Sequence, residues 1–141
     1  MPCILWITCD CPSNELISTI GIDPYKTIEK GSVLTTAAGE KHYDQTVCSF
    51  DVSKESFLDF KAIVLEATQW LQEHFERLQR LSGLTATARL EFGYYTQFVD
   101  SKIVAQYDTI PYALIKLAAD LRMDIELSQY WYSAEQGAQL N

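Results

Sequence analysis

Between Phe57 and Leu78 apolar residues recur every three or four positions: Phe57, Phe60, Val64, Ala67, Leu71, Phe75 and Leu78. That period puts them on one side of a helix of about six turns. Asp59, Glu66, Glu73 and Glu76 fall mostly on the other side. Ser53 is expected to cap the helix, Arg77 and Arg80 lie where its dipole favours cations, and Ser82-Gly83 ends it. A stripe this long has to be covered by a sheet or by several other helices.

The flanking segments supply the sheet. Residues 3–9 alternate with apolar residues on both sides, Leu5, Ile7 and Cys9 against Ile4, Trp6 and Thr8, which predicts an interior strand. Thr46 to Val52 sets Cys48, Phe50 and Val52 against Val47, Ser49 and Asp51. Thr85 to Tyr95 sets Ala86, Ala88, Leu90, Phe92 and Tyr94 against Thr87, Arg89, Glu91 and Tyr95. Asp124 to Tyr132 closes the chain with Ile125 and Leu127 inward and Glu126, Ser128, Tyr130 and Tyr132 outward.

Two shorter helices are expected. One runs from Ser13, as its cap, to Gly21, with Ile22 folding back and Pro24 blocking continuation; the other opens at Thr109 with Pro111 in its first turn. Thr27 to Gln45 reads as a strand or hairpin with loops, and a second hairpin arm is expected near Ile103-Val104. The order predicts one α+β domain over residues 1–132: two layers, a mainly antiparallel sheet, and helices packed on one face. Residues 133–141 have little to bury and are expected as a tail.

A chain of 141 residues with 48% hydrophobic and 21% charged residues can form a core without disulfide or metal support. Nineteen acidic against eleven basic residues leave a net charge of -8. Phosphate backbones are bound by basic stripes, and the longest Lys/Arg cluster is the pair Arg77 and Arg80. Nucleic acid and anionic membrane are therefore excluded as expected partners; a protein with a basic surface, or a second copy of the chain, remains. Met1 to Thr8 has neither the pattern of a signal peptide nor that of a membrane span, so a cytoplasmic setting is expected, with Cys3, Cys9, Cys11 and Cys48 as thiols.

Cys9-x-Cys11 is the one metal-like spacing, and Cys48 with His42 would be needed to complete a tetrahedron. On an extended strand the two sulfurs stand too far apart to chelate, so no metal and no cofactor are expected. His42 and His74 lack flanking motifs that would pair them with a cysteine nucleophile, and Gly31 and Gly39 are too isolated to form a phosphate loop. No catalytic residue is assigned. The candidate partner-binding residues are Trp6, Glu91, Tyr95, Glu126, Tyr130 and Tyr132, placed by alternation on the sheet face opposite the aliphatic residues. The competing reading covers this face with the Ala37–Gln45 loop or a second subunit. The alternative function is a small enzyme or ligand-binding domain with a pocket between sheet and long helix.

Two stretches carry a family resemblance: Asn14 to Pro24 with Lys30-Gly31, and Leu114 to Tyr130 ending in Asp124-Ile125-Glu126-Leu127-Ser128-Gln129-Tyr130. Together with the long helix they resemble the bacterial family catalogued as domain of unknown function 4279, over residues 4 to 132. The chain departs from that pattern at Cys48 and Phe50, where a Trp is common, and at Arg122 and Met123, where a Gly commonly follows the third helix. A differently built turn is expected there, because a non-glycine residue in a left-handed cap costs about 1 kcal/mol. The resemblance implies a fold and a bacterial cytoplasmic setting and carries no active site. An immunity protein that blocks a toxin fits the size, the charge and the lack of a catalytic motif.

Overall fold

A computed structural model describes residues 1–96 and 105–130. Its elements run β1 (Cys3–Cys9), α1 (Ser13–Ile20), β2 (Lys26–Ile28), β3 (Val33–Thr36), β4 (Gly39–His42), β5 (Thr46–Ser53), α2 (Phe60–Leu78), β6 (Ala86–Tyr95), α3 (Tyr112–Asp120) and β7 (Met123–Tyr130). A 3-10 turn, Gln79–Gly83, extends α2. Five strands form one sheet in the order β2-β5-β1-β6-β7, and β3 pairs with β4 in a separate hairpin. All pairings are antiparallel except β6 with β7. The fold is α+β, as the order of periodicities predicts.

Alternation in β1 sorts the two faces. Cys3, Leu5, Ile7 and Cys9 are fully buried on the helix side, while Ile4, Trp6 and Thr8 are half-buried on the other. Phe50, Phe92 and Leu90 from the neighbouring strands join Ile63, Val64, Ala67 and Leu71 of α2 and Leu16, Ile20 and Leu114 of the shorter helices in one buried cluster. The expected stripe of α2 is therefore the face that meets the sheet. These side chains fill much of the space between α2 and the sheet.

The ends of the helices differ from expectation. α2 begins at Phe60, and its cap is Asp59, whose side chain accepts a hydrogen bond from the Ala62 N–H at 2.9 Å. Ser53 instead ends β5 and donates its hydroxyl to Glu66 Oε2 at 2.9 Å. α1 is capped by the Pro12 backbone, and the Ser13 hydroxyl is turned to Glu29. Gly21, at φ 66°, ends α1 in the left-handed conformation as its position predicts, and Ile22 packs against the core.

After α3 the expectation fails in an informative way. The turn keeps its left-handed residue, and Arg122 occupies it at φ 55°. Leu127, expected inward, stands opposite the buried Phe92 yet is 48% exposed, because β7 is an edge strand. The arm near Ile103-Val104, the tail from residue 133, and Tyr132 lie outside the described residues.

Candidate functional site: the open face of the sheet

The registers arrange the uncovered face in rows. One row crosses all five strands as Lys26, Ser49, Trp6, Arg89 and Asp124. On one side of it lie Ile28, Val47, Thr8 and Thr87. On the other lie Asp51, Ile4, Glu91 and Glu126. Beyond the acidic row come Gly93 and Ser128, then Tyr95 and Tyr130. Trp6, Glu91, Tyr95, Glu126 and Tyr130 thus share one face, spread along its length rather than gathered at one point.

Hydrogen bonds fix the middle of this face. Trp6 Nε1 donates to Glu91 Oε2 at 2.6 Å, and Ser128 Oγ donates to Glu91 Oε1 at 3.3 Å, which links β1, β6 and β7 through one carboxylate. Arg89 lies 3.2 Å from Glu126. Both glutamates assigned to a basic partner therefore have partners within the chain. Asp51, in the same row, keeps its Oδ1 shielded from water with no hydrogen-bond partner among the described residues.

The aromatic end is built around a glycine. Gly93 carries no side chain, and Tyr130 and Phe57 close over it; a methyl group there would stand 3.3 Å from Tyr130 and 3.7 Å from Phe57. The Tyr95 ring centroid lies 5.6 Å from Phe57 and 6.2 Å from Tyr130. The Tyr95 N–H donates to the Phe57 carbonyl and the Thr96 N–H to the Tyr130 carbonyl, each at 2.9 Å. Phe57 follows the helical period in sequence but belongs to the loop before α2, from where it reaches the opposite face.

At the other end the β3–β4 hairpin walls in a cleft of about 500 Å3, with Trp6, Thr8, Lys26, Lys41, Tyr43 and Arg89 among its lining. The hairpin is tied by the Gly31 N–H to the Tyr43 carbonyl and by the Tyr43 N–H to the Ser32 carbonyl, at 2.7 and 3.0 Å. The loop that competes for the face thus rims one end and leaves the aromatic end open. A second, more apolar cleft of about 610 Å3 lies beside α2, between Phe60, Val64 and Leu65 and the segment from Tyr107 to Ala113.

The cysteines part from expectation. Cys9 and Cys11 form a disulfide, while Cys3 and Cys48 are free and buried. β1 stops at Cys9 and the chain bends at once, which brings the two Cα atoms to 5.3 Å, inside the range a disulfide spans. The expectation of separated sulfurs assumed that the strand continued through Cys11. Burial pushes the Cys3 thiol far above its ordinary range, with Asp51, Glu66 and Glu91 adding to the shift. Burial also raises Cys48, partly offset by a hydrogen bond with the Thr27 hydroxyl. His74 is held by the Trp70 carbonyl at 2.8 Å and stacks on the Trp70 ring, a packing role.

Lys26, Lys41, Tyr43 and Phe57 are the residues of this face that sequence reasoning missed. The alternation of Lys26 and Ile28 across Thr27 was the available signal, too short to read alone. Fold and face together define an α+β domain with helices on one side of its sheet and an exposed face divided into a cationic cleft, an acidic row and an aromatic corner. Compared with family models, curated proteins and solved structures, the chain finds no match in any of the three.

Proposed function

We propose that the protein is a binding domain that holds a polypeptide partner against the aromatic end of its open sheet face. The observation that carries this reading is the corner where Phe57, Tyr95 and Tyr130 meet over Gly93, with Tyr130 49% exposed. Rings anchored on a rigid sheet lose little entropy on binding, and aromatic residues dominate interface energetics. The acidic row beside the corner and the net charge of -8 favour a basic partner. Glu91 and Glu126 already have partners, so they set the local potential rather than form new pairs. A domain that masks a basic toxin, an immunity protein of the bacterial family it resembles, is the role that suits such a face.

The test is surface plasmon resonance against a basic toxin encoded beside this chain. Tyr130→Ala, which removes a half-exposed side chain, is expected to speed dissociation by about tenfold or more while far-ultraviolet circular dichroism stays unchanged. Unaltered binding by a folded Tyr95→Ala, Tyr130→Ala variant would refute the assignment.

A further inference from the structure

The cleft under the hairpin points to a second kind of ligand. In a chain of charge -8 it gathers Lys26, Lys41 and Arg89 against Asp124 as the carboxylate of its lining. Arg89 is partly neutralised by Glu126. Among the described residues Lys26 makes no ion pair, and Lys41 only lies over the Tyr43 ring, 4.9 Å from its centroid. The hydroxyls of Thr8 and Thr87, adjacent on paired strands, likewise hold no hydrogen bond among the described residues. Donors are thus present and unspent, and they outnumber Asp124, the one carboxylate among the lining residues.

The floor between them is aromatic and fixed. Trp6 stands in the row between Lys26 and Arg89, its indole pinned by the 2.6 Å bond to Glu91. Three strand intervals of about 4.8 Å separate the Lys26 and Arg89 backbones by roughly 14 Å, the length of a small two-part molecule. The cleft volume lies within the range of small-ligand sites.

We infer that this cleft binds a small organic anion carrying a planar ring: the phosphate or carboxylate at Lys26 and Lys41, the ring over Trp6, and its polar edge on Thr8 and Thr87. The inference needs no polypeptide partner and stands apart from the reading above. Nucleotides and aromatic carboxylates share this chemistry, so both serve as probes. Adenosine monophosphate, indole-3-acetate and, as the uncharged control, adenosine are titrated into the 15N-labelled protein at low salt.

The expected result is that at least one of the two anions shifts the amide signals of Trp6, Thr8 and Thr87 with a Kd of about 1 mM or below. Which of them binds tells phosphate from carboxylate. Lys26→Gln with Lys41→Gln, both exposed side chains, should weaken that binding by about tenfold or more, and higher salt should weaken it further. Tyr130→Ala should leave it within about twofold, which separates this site from the aromatic corner. The proposal is overturned if neither anion shifts these signals, if adenosine binds as well as its phosphate with indole-3-acetate silent, or if the double lysine variant binds as the parent does.

Discussion

Cys3 makes stability depend on alkaline pH in a way that can be isolated. Its thiol is fully buried, and burial first, then the charges of Asp51, Glu66 and Glu91, raises its pKa far above the ordinary value. In the unfolded chain the same thiol ionises near pH ~8.5. Above that pH the unfolded state loses a proton that the folded state keeps, so stability falls as pH rises and is fully present below it. The slope is about 1.4 kcal/mol per pH unit, hence about 2 kcal/mol between pH ~8.5 and ~10. Urea unfolding at those two pH values, with and without Cys3→Ala, measures it, and subtracting the two series cancels the titration of tyrosines and lysines. A background in which Cys9 and Cys11 are both serine keeps unfolded thiolates from attacking the disulfide. Equal losses in both series would show that the thiol is not protected as its burial requires.

Val64→Asp places a carboxylate at a position 3% exposed on the sheet-facing side of α2, and is expected to cost about 4 kcal/mol or more; an unchanged melting temperature would mean that this face is not the packed one. Arg122→Gly should raise stability by up to about 1 kcal/mol, because Arg122 holds a left-handed conformation, and a loss instead would show that the arginine side chain compensates. Replacing Cys9 and Cys11 by serine opens a ring of only two residues' separation, so the chain-entropy loss is about 1.5 kcal/mol, at the low end for disulfides; thiol titration after denaturation, two before reduction and four after, checks the bond itself.

The layers of this fold were legible because burial imposes a period. β1, β5, β6 and the stripe of α2 each repeat a face, and those faces meet in the core. What escaped was set by contacts distant in sequence or by short turns. Phe57 fits the helical period, but the chain reaches Asp59 before it can turn helical, and the ring crosses to Tyr95. A strand or hairpin was expected over Thr27 to Gln45, but the β3–β4 hairpin is exposed throughout, so no apolar alternation marks its bounds. Leu127 alternates correctly and stays half-bare because coverage belongs to the neighbouring element, not to the strand. The site shows the same division: alternation placed Trp6, Glu91, Tyr95, Glu126 and Tyr130 on one face, but only the register shows Arg89 between Trp6 and the acid beside it. Lys41 joins that face through the hairpin's fold, which single-strand patterning does not contain.

Opposite local charges coexist on this face because of its length. From Arg89 to Tyr95 along β6 is six residues, about 20 Å at strand rise. Screening in physiological salt acts over about 8 Å, so the cleft and the aromatic corner feel different potentials although they share one sheet. The net charge of -8 governs encounters at longer range and low ionic strength, where it draws a basic protein in. Within the cleft, Lys26 and Lys41 outweigh the nearest carboxylate, and an anion meets them before it meets the acidic row. The Trp6–Glu91–Ser128 bonds tie the two regions mechanically, since the indole that floors the cleft is held by the carboxylate that borders the corner. Salt should therefore act on both sites in the same direction while ligand charge acts in opposite ones. A basic peptide that displaced the anion from Trp6 would show that the boundary at Glu91 does not hold.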